Sequence, residues 1–124
     1  MHAAVIIDDD EAIRDTLKQF LEDYQFTVKT FPDGPQALIY LVGRSTPHLV
    51  IVDYAMPQMN GEAFLRRALE EIGLHENGYI LFAARPLAHL PPTVASLLTT
   101  WNISFLTKPF NLIDLEALIQ PFIG

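Results

Sequence analysis

The sequence predicts an α/β protein built on a doubly wound parallel sheet, and three observations carry that expectation. Short apolar runs of strand length alternate along the chain with stretches whose apolar residues recur at helical spacing. The runs are continuous rather than alternating, as in strands covered on both faces. Charged residues gather at the ends of the first, third and fifth runs, where such a sheet presents its ligand-binding edge.

Taken in order, Ala3 to Ile7 form a first strand, ended by Asp8, Asp9 and Asp10. From Glu11 to Tyr24 the residues Ile13, Leu17, Phe20, Leu21 and Tyr24 line one side of a helix, and the early acidic residues suit its positive end. Phe26 to Phe31 read as a second strand. Pro32-Asp33-Gly34 then punctuate the chain before a helix from about Pro35 to Val42. Leu49 to Val52 give a third strand that delivers Asp53 to its end, and Pro57, Asn60 and Gly61 turn the chain into a helix reaching Ile72. The spacing puts Phe64, Leu65, Ala68, Leu69 and Ile72 on one face of that helix. Tyr79 to Ala83 are a fourth strand, followed by a proline-marked loop and a short helix over Thr93 to Trp101. Ile103 to Thr107 form the fifth strand. The last helix starts at Asn111 as N-cap and turns Leu112, Leu115, Leu118, Ile119 and Phe122 toward the core.

Length and composition narrow the function classes. The 124 residues suit one domain, 1–124, and 50% hydrophobic residues with a mean hydropathy of +0.22 leave no disordered tract. A net charge of -7 argues against nucleic acid as a direct partner. There are no cysteines, so disulfides and thiolate metal sites are excluded. His2, His48, His75 and His89 lack ligand spacing and are expected in solvated or loop positions. The opening residues lack the basic head of a signal peptide, and no run is long enough to span a bilayer, so the expectation is a cytoplasmic protein away from membranes.

An aspartate at a strand end can simply cap the next loop. Here, however, Asp8, Asp9 and Asp53 converge on one sheet edge with Lys108. Two like charges about 4 Å apart repel by roughly 4 kcal/mol at an effective dielectric near 20. A hard divalent cation relieves that repulsion, and oxygen-only ligands suit magnesium, or manganese, better than zinc. Lys108 pairs with Asp53 at rest or with an anion added to it. A carboxylate nucleophile flanked by a metal and a lysine is equipment for accepting a phosphoryl group.

Ile6-Ile7-Asp8-Asp9, Val52-Asp53-Tyr54-Ala55-Met56-Pro57 through Gly61, and Thr107-Lys108-Pro109-Phe110 together resemble a response regulator receiver domain of the CheY-like superfamily. The resemblance implies a (βα)5 flavodoxin-like fold with strand order 2-1-3-4-5. It implies magnesium held by Asp9, Asp53 and the backbone carbonyl of Ala55, with Asp8 acting mainly through water. It further implies phosphorylation of Asp53 by a histidine kinase or phosphotransfer protein, and a cis peptide between Lys108 and Pro109. Such a domain is a phosphoacceptor and not an enzyme on free substrates. Receivers commonly meet partners, or themselves, through helix four, strand five and helix five, where Trp101 is either an interface anchor or a cover for the sheet.

The sequence departs from the receiver pattern at both switch positions. Ala83 stands where receivers carry Thr or Ser, and Phe105 supplies an aromatic ring without a phenolic hydroxyl. The acceptor is complete, so phosphorylation with an atypical switch is expected. The competing expectation is a pseudo-receiver, or scaffold, that binds proteins without phosphorylation. A phosphohydrolase using an aspartate nucleophile is disfavoured, because its second aspartate would fall at Ala55.

Overall fold

The computed structural model describes residues 2–123. Five parallel strands form one sheet: β1 (Ala3–Ile7), β2 (Thr27–Phe31), β3 (His48–Asp53), β4 (Gly78–Ala83) and β5 (Ser104–Thr107), in the order β2-β1-β3-β4-β5. The helices are α1 (Glu11–Asp23), α2 (Gly34–Val42), α3 (Gly61–Arg66), α4 (Pro92–Trp101) and α5 (Leu112–Ile119). The order reverses direction between β1 and β3, and the crevice at that switch point is where a doubly wound sheet binds ligands.

Strand residues point alternately to the two faces, so the sheet separates two cores. On one face Val5, Ile7, Val50, Val52 and Leu81 pack with Leu38 and Leu41 of α2, Phe64 of α3 and Leu97 of α4. On the other, Ala4, Ile6, Ile51 and Phe82 pack with Leu17 and Leu21 of α1 and Leu115 and Ile119 of α5. All of β3 is buried, which explains its unbroken apolar run.

Side chains set the helix starts. The Asp10 carboxylate accepts from the amides of Ala12 and Ile13, so this aspartate caps α1 and is spent on the fold. Asp33 accepts from Gln36 N at 2.9 Å, Asn60 from Ala63 N at 2.8 Å, and Asn111 from Asp114 N at 2.8 Å. The Asn111 cap is the one the sequence predicts.

Several expectations need correction. The third helix is not one α-helix to Ile72: after Arg66 it continues as a π-helical segment, Arg67–Ile72, closed by Gly73 in the left-handed conformation. The wider turn advances the side chains differently, so Ala68 and Leu69 stay buried while Ile72 is 37% exposed. Leu112 also misses the core, at 48% exposure, because it sits in the first turn of α5 before the helix reaches the sheet. His48 is not solvated. It begins β3 fully covered, its ring between the carbonyl of Thr46 at 2.7 Å and the hydroxyl of Tyr40 at 3.2 Å. His75, by contrast, is exposed in a turn as expected, making a 2.8 Å contact with the Leu69 carbonyl and lying against Trp101 with ring centroids 4.9 Å apart. Trp101 is half-buried and packs against the α2–α4 core.

Among the described residues, no helix is long and apolar enough to cross a membrane.

Candidate functional site

The ends of β1, β3 and β5 bring Asp8, Asp9, Asp53 and Lys108 together. Asp8 and Asp53 are buried and Asp9 is exposed. One carboxylate oxygen from each of the three aspartates lies within 4.8 Å of the others. Lys108 Nζ donates to Asp8 Oδ2 at 2.8 Å and stands 3.0 Å from Asp53 Oδ1. One ammonium thus bridges two buried carboxylates.

The backbone holds these groups in place. The Asp10 amide donates to Asp8 Oδ1 at 2.9 Å, and Arg14 Nη1 donates to the Asp8 carbonyl at 2.6 Å. Tyr54 N donates to the Phe82 carbonyl at 2.7 Å, continuing the β3–β4 ladder one residue past the strand end. Gly61 N then returns to the Tyr54 carbonyl at 2.7 Å, folding the loop back on itself. A Cβ at Gly61 would sit 2.8 Å from the Asp53 carbonyl and 2.7 Å from Leu81 Cδ1, so only glycine allows this close return. Across the sheet, Lys108 N donates to the Ala83 carbonyl at 2.7 Å, tying the lysine to the end of β4. The Lys108–Pro109 peptide is cis.

The electrostatics follow from this crowding. Burial raises Asp53 above the ordinary carboxylate range, the Asp8 charge raises it further and Asp9 adds a little, while the hydrogen bond and charge of Lys108 pull it back. For Lys108, burial alone favours the neutral amine, but the hydrogen bonds and charges of Asp8 and Asp53 together carry it above its ordinary value. The lysine leaves the cluster with surplus negative charge. Hard oxygen donors in that state, with no nitrogen or sulfur donor among them, fit a divalent cation of the magnesium type. The carbonyl of Ala55 accepts no hydrogen bond among the described residues.

The two remaining sequence-selected positions lie to one side of the acidic group. Ala83 is 1% exposed and ends β4. Phe105 is half-buried in β5 and packs against the same core as Ala83. Sequence reasoning missed Arg14, whose contact is with a backbone carbonyl and so leaves no residue-type signature. It also missed the groove beside Lys108, about 610 Å³, lined by Ala12, Ile13, Thr16, Leu17, Pro109 and Phe110.

Comparison with known proteins places this geometry. Residues 4–120 match the family described as response regulator receiver domain. The chain is 30% identical over 117 residues to response regulator Rre1 of Synechocystis, covering 94% of this chain and 49% of that protein. It thus spans about half the length of that relative. It is 29% identical over 112 residues to the rice (Oryza sativa subsp. indica) two-component response regulator ORR3, covering 90% of this chain and 83% of that one. Among solved structures it resembles a CheY-like receiver domain protein from Methanospirillum hungatei, at 27% identity and a TM-score of 0.78, covering 98% of this chain and 94% of that one. With the doubly wound 2-1-3-4-5 sheet and the acidic edge already described, these matches make the chain a member of the response regulator receiver domain family of two-component signalling.

Proposed function

We propose that this domain accepts a phosphoryl group on Asp53 from a phosphohistidine of a histidine kinase or phosphotransfer protein. The observation that carries the proposal is the buried Asp53 carboxylate at the end of β3, set between two further aspartates and an ammonium 3.0 Å away. An Asp53 oxygen forms a bond to phosphorus as the donor's N–P bond breaks, and the electron pair leaves with the donor imidazole. That transfer needs alignment and charge neutralisation more than proton movement.

Asp9, Asp53 and the Ala55 carbonyl would hold magnesium or manganese, with Asp8 acting through water. When bound, the cation supplies positive charge to the incoming phosphoryl oxygens. Lys108 holds Asp53 and Asp8 in place before transfer and offers its ammonium to a phosphoryl oxygen afterwards. The apolar groove between α1 and the β5–α5 loop borders Lys108 and suits the approach of a donor protein. The domain acts on itself, in the cytoplasm, as a signalling module, and turns over no free substrate. The α4–β5–α5 face is the surface through which a downstream protein or a second copy would read it.

A second reading is favoured by Ala83 and Phe105. With no hydroxyl at either switch position, a scaffold that signals by protein binding alone would need no phosphoryl group. Incubation with magnesium and a small phosphodonor, read by intact mass, separates the two. Acceptance predicts one added phosphoryl group, lost in Asp53→Asn and in the presence of chelator. An unchanged mass supports the scaffold.

A further inference from the structure

The end of β4 lacks a polar side chain where one would face an anion on Asp53, since position 83 carries only a buried methyl group. Two residues further on stands Arg85, exposed. The other arginines are engaged: Arg14 with the Asp8 carbonyl, Arg44 over the Tyr40 ring, Arg66 with Glu62 and Glu70, and Arg67 with Glu71. Among the described residues Arg85 makes no hydrogen bond, ion pair or ring contact, although it follows directly on a strand whose end borders the acidic cluster.

Its place follows from the chain on either side. Ala83 closes β4 next to β3, whose Asp53 is in register with Phe82; Ala84 lines the groove with Lys108, and the chain bends at Ala84 and Arg85, so Arg85 leaves the sheet at the edge that carries the acidic cluster. Lys108 N fixes the Ala83 carbonyl at 2.7 Å, and Pro86 disfavours a helical backbone at Arg85. Arg85 is three residues past Phe82, the register partner of Asp53, and a long arginine side chain can reach back over so short a stretch of chain. Lys108 is a single ammonium already shared between Asp8 and Asp53. A phosphoryl dianion on Asp53 would add charge that this lysine cannot match alone, whereas a guanidinium presents a planar fork suited to two phosphoryl oxygens.

We propose that Arg85 is a second phosphoryl-binding cation, making from position 85 the contact that a hydroxyl at position 83 would have made. This rests on the reading of Asp53 as a phosphoryl acceptor. In the absence of the phosphoryl group the guanidinium is solvated. Once the group is attached, the guanidinium folds over it and ties the β4–α4 loop to the acceptor.

Calorimetric titration of the magnesium-loaded domain with beryllofluoride, a phosphoryl mimic, tests the assignment. The wild type should bind; Arg85→Ala should bind about tenfold or more weakly, the loss expected for one charge-assisted contact, and Arg85→Lys should lie between them. Introducing Ala83→Thr into the Arg85→Ala background should restore affinity, because the hydroxyl then supplies the missing contact. Magnesium affinity without fluoride should be the same in all variants. Equal beryllofluoride affinity in wild type and Arg85→Ala overturns the assignment, as does an equal loss of affinity for magnesium alone or a failure of Ala83→Thr to restore binding. A wild type that binds magnesium but no beryllofluoride instead overturns the acceptor reading, and the role of Arg85 with it.

Discussion

At Asp53, burial and the neighbouring Asp8 carboxylate both favour the neutral acid, and Lys108 only partly offsets them. A carboxylate whose value is raised by folding subtracts stability above its unfolded value, so at neutral pH the ionised Asp53 works against the fold. Asp53→Asn removes that charge while Lys108 keeps its 2.8 Å bond to Asp8. In chelator, thermal unfolding should therefore find Asp53→Asn more stable than the wild type. Magnesium should narrow the gap, because a ligand at a hundredfold excess over its Kd adds about 2.7 kcal/mol to the form that binds it. The residues at stake were legible in the sequence, because apolar runs and turn residues fix where strands end, and Asp8, Asp9, Asp53 and Lys108 each fall at such an end. His48 was not legible: what buries it is Tyr40 from α2 and a carbonyl two residues back, partners that no local pattern names.

At the scale of elements, the places of the strands and the Asn111 cap follow from local sequence and the strand order from the family resemblance, whereas the phase of a helix follows from neither. The Arg67–Ile72 segment has ordinary helix-forming residues, and only the wider hydrogen bonding, such as Gly73 N to the Ala68 carbonyl at 3.0 Å, reveals the π-helical turn. The contact between α1 and α5 gives a pH-dependent test. The Tyr24 hydroxyl donates to Glu116 Oε2, and this hydrogen bond, with burial and the charges of Glu116 and Asp23, raises the phenol above its ordinary 10.0. Since the folded state favours the protonated phenol, its contribution is complete below pH 10.0 and lost as the pH rises through the raised value. Urea unfolding should show Tyr24→Phe less stable than the wild type at pH 7, with the difference closing in strongly alkaline solution.

For the molecule as a whole, the sheet separates the two cores of the described residues. Ile7 faces the α2–α4 side and Ile119 the α1–α5 side, both fully buried. Ile7→Val and Ile119→Val should each cost about 0.5–1.5 kcal/mol. Measured by urea unfolding, the double variant should fall within about 0.5 kcal/mol of their sum, because the two residues belong to separate clusters on opposite faces of the sheet. The division also bears on how such a protein changes over time. Lys108 borders the groove beside α1, where a phosphoryl donor would arrive, while Ala83 and Phe105 belong to the α2–α4 core. Substitutions on the α4 side can therefore accumulate without touching the groove beside Lys108.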